Sequence, residues 1–197
     1  MPRIRLIAAL LSLAGACWGD VSAAPVDPSL SPVQSIYEEG HFAERYRILT
    51  DLDGDGVDDL LLSEDIRSGG TMGQNWKVYL NRSGAFKSLG SITAHLGAIA
   101  FEPDKARHAA LPAERHFTRI WVYLRSSGSE GSFGYYRIGE KAVGKLQKLD
   151  LYPGDGGTDI GRAIYAATFT KSVTPFRVET STTDPDGTIH WTAVPSP

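Results

Sequence analysis

Hydrophobic and polar positions fall into three regimes along the chain. An apolar run from Ile4 to Ala16 is broken only by Arg5 and Ser12. A short stretch follows with a helix start: Ser31 as N-cap, Pro32 at the first helical position, Gln34 to reach back, and Gly40 to end it. From Arg45 onward the period becomes two, with β-branched and aromatic residues separated by turn formers, which predicts strands. Tyr46 to Leu49 and Leu60 to Ser63 flank an acidic loop, Trp76 to Leu80 alternates cleanly, and the turn Asn81 to Gly84 leads into Ala85 to Leu89. These four segments read as a meander.

The rhythm then repeats. Ala98 to Phe101, Thr118 to Arg125, Phe133 to Ile138 and Val143 to Leu149 form a second set of four, with a Ser/Gly turn from Ser126 to Ser132. Between the two sets, Pro103 to Arg115 reads as a loop holding a short helix. Thr158 to Thr170 has helical spacing, and a closing pair of strands, Phe176 to Thr180 and Thr188 to Val194, is joined by the turn Asp184-Pro185-Asp186-Gly187. The predicted fold class is mainly β, with meander sheets or blade-like units and one or two short helices. The units span 45–90 and 97–150, followed by the helix and hairpin of 158–194, all within one domain of residues 45–197. A closed propeller takes at least four such blades, so a complete single-chain propeller is excluded. Whether the two halves share one sheet or form two is open at this level.

Composition changes the picture at the N-terminus. The 197 residues carry a formal charge of −3, 42% hydrophobic and 22% charged residues, which fits a globular domain. A mildly acidic chain without a Lys/Arg run has no electrostatic reason to bind nucleic acid. Residues 1–24 have the three-part layout of a secretory signal: Arg3 and Arg5, the apolar run, then small residues around Val21-Ser22-Ala23-Ala24. The run is too short to span a bilayer, and no later stretch is long enough. The expectation is an exported protein, periplasmic or secreted, in which 25–44 is a leader with the short helix. The single cysteine, Cys17, lies inside the signal, so cleavage at 23 or 24 leaves no thiol. Leu13 to Cys17 also resembles a bacterial lipobox, which implies the alternative of an outer-membrane lipoprotein or accessory subunit anchored through Cys17.

One segment carries chemistry. Asp51-Leu52-Asp53-Gly54-Asp55-Gly56-Val57-Asp58-Asp59 places carboxylates at relative positions 1, 3, 5 and 9 and glycine at 6. Such a loop can converge on one hard cation, with the carbonyl of Val57 at position 7 as a further ligand. Oxygen-only donors exclude a soft metal, and a flexible loop offering many of them suits Ca2+ better than the strict octahedron of Mg2+. Five aspartates in nine residues repel one another without a counter-charge, so a cation should order the loop. An EF-hand needs glutamate at position 12, where Leu62 stands, and helices on both sides.

The run from Tyr46 to Glu64 instead resembles the strand–loop–strand calcium motif of FG-GAP or VCBS repeats, as in integrin α-subunit propellers. The resemblance implies Asp51, Asp53, Asp55, Asp59 and the Val57 carbonyl as ligands of Ca2+, with Asp58 pointing away. It covers this segment only, and the Phe-Gly and Gly-Ala-Pro signatures of the repeat are absent. Asp155 to Asp159 and Asp184 to Gly187 repeat fragments of the pattern and read as turns.

Other groups are weaker. His41, His95, His108, His116 and His190 form no close pair of the kind that holds zinc. Strand aromatics such as Trp76, Trp121, Tyr123, Tyr135 and Trp191 suit core packing, or carbohydrate stacking if a row of them faces water. The leading expectation is an exported calcium-binding β protein that binds a protein or glycan in the envelope or outside the cell. The alternative is a secreted, calcium-stabilised hydrolase drawing on Glu38, His41, Asp155 or Asp159.

Overall fold

The computed structural model describes residues 30–32, 44–103, 117–125, 131–151, 157–169 and 176–194. Eleven strands lie in them: β1 (Leu30–Pro32), β2 (Tyr46–Thr50), β3 (Asp59–Ser63), β4 (Gln74–Arg82), β5 (Ala85–Ala94), β6 (Ile99–Pro103), β7 (Thr118–Arg125), β8 (Gly131–Arg137), β9 (Gln147–Leu151), β10 (Arg177–Thr183) and β11 (Ile189–Ala193), with one helix, α1 (Gly157–Phe169). The strands form two antiparallel sheets, of order β1-β5-β4-β3-β2-β10-β11 and β6-β7-β8-β9. The fold is thus mainly β, and the described strands close neither a barrel nor a propeller. Among the described residues, no helix is long and apolar enough to cross a membrane.

Both predicted meanders form, each as consecutive antiparallel hairpins. Two sheets result because the main core lies between them: Ile48, Leu61, Trp76, Val78 and Ile92 of the larger sheet cluster with Phe101, Ile120, Val122, Leu124 and Tyr136 of the smaller. In β7 the alternation is visible residue by residue, with Thr118, Ile120, Val122 and Leu124 buried and Arg119, Trp121 and Tyr123 partly exposed. β3 breaks the rule, since all five of its residues are buried. It is the middle strand of seven, and its second face is covered as well. There Leu60 and Leu62 pack with Tyr79 and Phe86, against which Leu49 and Trp191 rest. A run of three leucines is the sequence mark of a strand covered on both faces.

A β-bulge interrupts the pairing of β4 with β5. Val78 pairs with Gly90 and Tyr79 with Ser88, so Leu89 is the extra residue, and Gly90 takes φ +113°, a conformation L side chains rarely adopt. The carbonyl of Leu89 then accepts the N–H of Val143 at 2.9 Å, a bond to the segment joining β8 and β9. The buried Trp76 indole donates to the carbonyl of Ala94 at 2.9 Å, as a buried indole N–H requires.

One expectation changes. Ser31 and Pro32, read as the start of a helix, lie in β1 and pair with Phe86 and Ala85. β1 is an edge strand, where a proline with no N–H to give is tolerated. The rest of that helix, and the loop of 104–116, lie outside the described residues. The C-terminal hairpin extends the first sheet through β2, with Val178 opposite Ile48.

Candidate metal centre

The acidic loop joins β2 to β3, whose register sets Thr50 opposite Asp59. The two ends of the loop are therefore held together by the sheet before any cation enters. Gly54 and Gly56 take φ of +74° and +83°. An added Cβ at Gly56 meets nothing within 4 Å, so glycine is needed there for backbone conformation and not for space.

With those turns made, loop amides point back at the first aspartate. The Asp51 carboxylate accepts the N–H groups of Gly54 at 2.6 Å, Asp55 at 3.3 Å and Gly56 at 2.9 Å. Asp55 accepts from the N–H of Val57 at 2.9 Å. Asp59, fully buried, accepts the N–H of Leu52 at 2.8 Å on one oxygen and that of Asn81 at 2.7 Å on the other. Burial pushes the Asp59 carboxyl up to about 7, a rise that its backbone hydrogen bonds oppose and the charges of Asp53 and Asp55 reinforce.

The predicted ligands do not all converge. Asp51, Asp53 and Asp59 come together, with one carboxylate oxygen from each lying within 4.8 Å of the others. Asp55 stands outside that trio and faces Val57 and Arg82 instead. Val57 is 43% exposed at the loop surface. Asp58 is also exposed, with an ion pair of 3.6 Å to Arg177. Asp53 is the telling residue: it is 2% exposed, one oxygen bonds Arg82, and the other, Oδ1, is buried with no hydrogen-bond partner. A buried, unpaired carboxylate oxygen costs free energy unless something positive meets it.

Three residues complete the centre that sequence reasoning did not assign to it. Leu52, at the loop's second position, is fully buried in the main core. Its N–H holds Asp59, and its carbonyl accepts the N–H of Thr118 at 2.9 Å, so one residue ties the loop to both sheets. Asn81 donates its backbone N–H to Asp59 and its side-chain amide to the carbonyl of Asp58 at 3.1 Å. Arg82, last in β4, donates to Asp53 at 2.7 Å and reaches Asp55 at 3.4 Å. A signal for Arg82 existed: β4 pairs with β3, so the end of that strand falls beside the loop, and Arg82 is the base that ends it.

The hydrolase candidates gain no geometry. Glu38, His41 and Asp155 lie outside the described residues, as do His108 and His116, while Asp159 is on α1. His95 hydrogen-bonds the carbonyl of Thr71 at 2.7 Å, and His190 pairs with Asp184 at 2.9 Å. A cleft of about 630 Å³ is lined by Thr71, His95, Tyr123, Arg125 and Tyr165 among others, none of them one of those four acid–base candidates. Trp76 is buried, whereas Trp121 donates to Glu102 at 2.8 Å and packs on Tyr135.

No known family model, curated protein or solved structure matches this chain.

Proposed function

We propose that this is an exported β-rich protein whose loop Asp51–Asp59 binds a structural Ca2+, similar in that loop to FG-GAP or VCBS repeats, and that it serves as a binding protein for a protein or glycan partner of the envelope or the extracellular space. The observation that supports the metal reading is the buried, partnerless Oδ1 of Asp53 beside Asp51 and Asp59. A cation there gives that oxygen a partner and offsets the charge of three carboxylates. Oxygen donors in a glycine-hinged loop favour Ca2+ over softer ions. Asp51, Asp53 and Asp59 would hold the ion, and Asp55 and the Val57 carbonyl would join after a local shift of the loop. Export rests on the signal-like pattern of 1–24. Mass spectrometry of the protein from cells tests it: a start near Pro25 bears it out, and a diacylated Cys17 transfers the protein to the lipoprotein class.

A thermal melt in EDTA and across a calcium titration tests the metal. A ligand that binds only the native state at a hundred times its Kd adds about 2.7 kcal/mol. For a chain of this size that raises Tm by roughly 5–10 °C. Asp53→Ala combined with Asp55→Ala is expected to abolish the rise. An unchanged rise in that double variant, or no rise in the parent, removes the site.

A further inference from the structure

We infer that Arg82 is a built-in counter-ion of the acidic loop, and that a divalent cation must compete with its guanidinium for the Asp53 carboxylate. The inference rests on the calcium reading above and adds what regulates the affinity of that site.

The geometry is specific. The Arg82 side chain is 29% exposed, so it reaches in from the rim, while the carboxylate it meets at 2.7 Å is 2% exposed. Its second terminal nitrogen lies 3.4 Å from Asp55 and 3.1 Å from the carbonyl of Asn81. One fork thus bridges positions 3 and 5 of the loop, two of the carboxylates a cation needs. The placement is fixed from outside the loop. Ser83 and Gly84 take φ of +56° and +90° in a two-residue hairpin turn, Gly84 donates its N–H to the Asn81 side chain at 2.9 Å, and Arg82 sits opposite Ala85 at the mouth of that turn. The neighbouring Asn81 amide is bonded to Asp59. The hairpin therefore delivers a ligand clamp and a competitor in consecutive residues.

Charge decides the consequence. A guanidinium bonded to a nearly buried carboxylate is a charge-assisted pair, stronger than a neutral hydrogen bond. A divalent ion arriving at Asp51, Asp53 and Asp59 meets a like charge and, at Asp53, a carboxylate with one of its two oxygens already engaged. Competition for Asp53 and Asp55 drives Arg82 outward, and its partial exposure gives it room to move. The arginine so stabilises the metal-free loop and weakens the metal-loaded one. The structural site therefore fills fully only at high calcium, as in extracellular fluid.

The experiment is calcium titration by calorimetry, with melts in EDTA and in calcium, on the full-length parent, Arg82→Gln and Arg82→Lys. R82Q is expected to bind calcium roughly tenfold more tightly, the equivalent of losing one competing charged pair. It should also melt lower than the parent in EDTA and show the larger calcium-induced rise. R82K keeps the charge but cannot bridge two carboxylates, so its affinity is expected between the two. It also serves as the readout if R82Q does not fold in EDTA. Calcium binding by the parent with equal Kd in both variants overturns the inference and leaves the calcium site standing. Binding by R82Q alone means that Arg82 is the permanent occupant of the natural loop, which overturns the calcium reading and the competition with it. Binding by none of the three overturns both.

Discussion

Asp59→Ala is expected to eliminate the calcium-dependent rise in Tm and to cost more than about 4 kcal/mol in the presence of calcium. The buried carboxylate satisfies two backbone N–H groups at once, those of Leu52 and Asn81, one on the loop and one on β4. Each orphaned buried donor costs about 1–3 kcal/mol. The lost metal linkage adds to this in calcium. In EDTA the deficit should be smaller at pH 8, because the variant also removes a buried negative charge beside Asp53 and Asp55. Chemical denaturation of both proteins in both buffers measures the difference; equal deficits with and without calcium would show that Asp59 is a structural clasp only.

The same residue predicts a pH dependence. Its folded-state carboxyl titrates near 7, against 3.8 for the ordinary group. In EDTA the native state therefore holds this proton more tightly than the unfolded chain does. Its contribution to stability is fully present below pH 4, falls as pH rises towards 7, and is gone above it. Calcium reverses the preference, since the ion needs the ionised form and competes with the proton. The calcium-induced rise in Tm is expected to be largest at pH 8 and to shrink towards pH 5. A rise independent of pH over that range would exclude Asp59 as a ligand.

Leu52→Ala should be the second large effect, about 3 kcal/mol, within the 2–5 kcal/mol usual for truncating a fully buried leucine. The larger point is where the damage spreads. Leu52 is the hinge between core and centre: its side chain packs in the inter-sheet core, its N–H holds Asp59 and its carbonyl holds Thr118. A cavity there loosens the loop as well as the core, so calcium affinity should fall although no ligand has changed. Denaturant unfolding and calorimetry on the same sample separate the two effects. A fully destabilised L52A with parental calcium affinity would mean that the loop is ordered by its own hydrogen bonds.

The alternation of side chains made the strands readable, because a half-buried strand repeats every two residues. β4 and β7 could be placed within a few residues, as could α1, expected over 158–170 and observed as Gly157–Phe169. The acidic loop was readable for a different reason: its chemistry is local, with carboxylates, glycines and a hairpin connection all inside nine residues. Period alone misplaced β9, expected over 143–149 and found at Gln147–Leu151, because Val143 is diverted to bridge Ile138 and to bond Leu89. It also misread Ser31 and Pro32, since a capping pattern says nothing about a free sheet edge nearby.

By itself, then, the sequence determined a mainly β chain of two meanders and a helix, and a glycine-hinged acidic loop whose ends meet. Those features depend on neighbours along the chain, and local sterics and periodicity suffice to state them. Tertiary structure alone decided that the meanders form two sheets over one core, and that β10 joins the first sheet at β2. It alone buried Leu52 and Asp53, and brought Asn81 and Arg82 to the loop from more than twenty residues away. These outcomes are long-range pairings selected by the burial of apolar faces, and no local pattern records which strand will lie beside which. The charge that meets Asp53 comes from the neighbouring hairpin, so the chemistry of the centre depends on the sheet that assembles it.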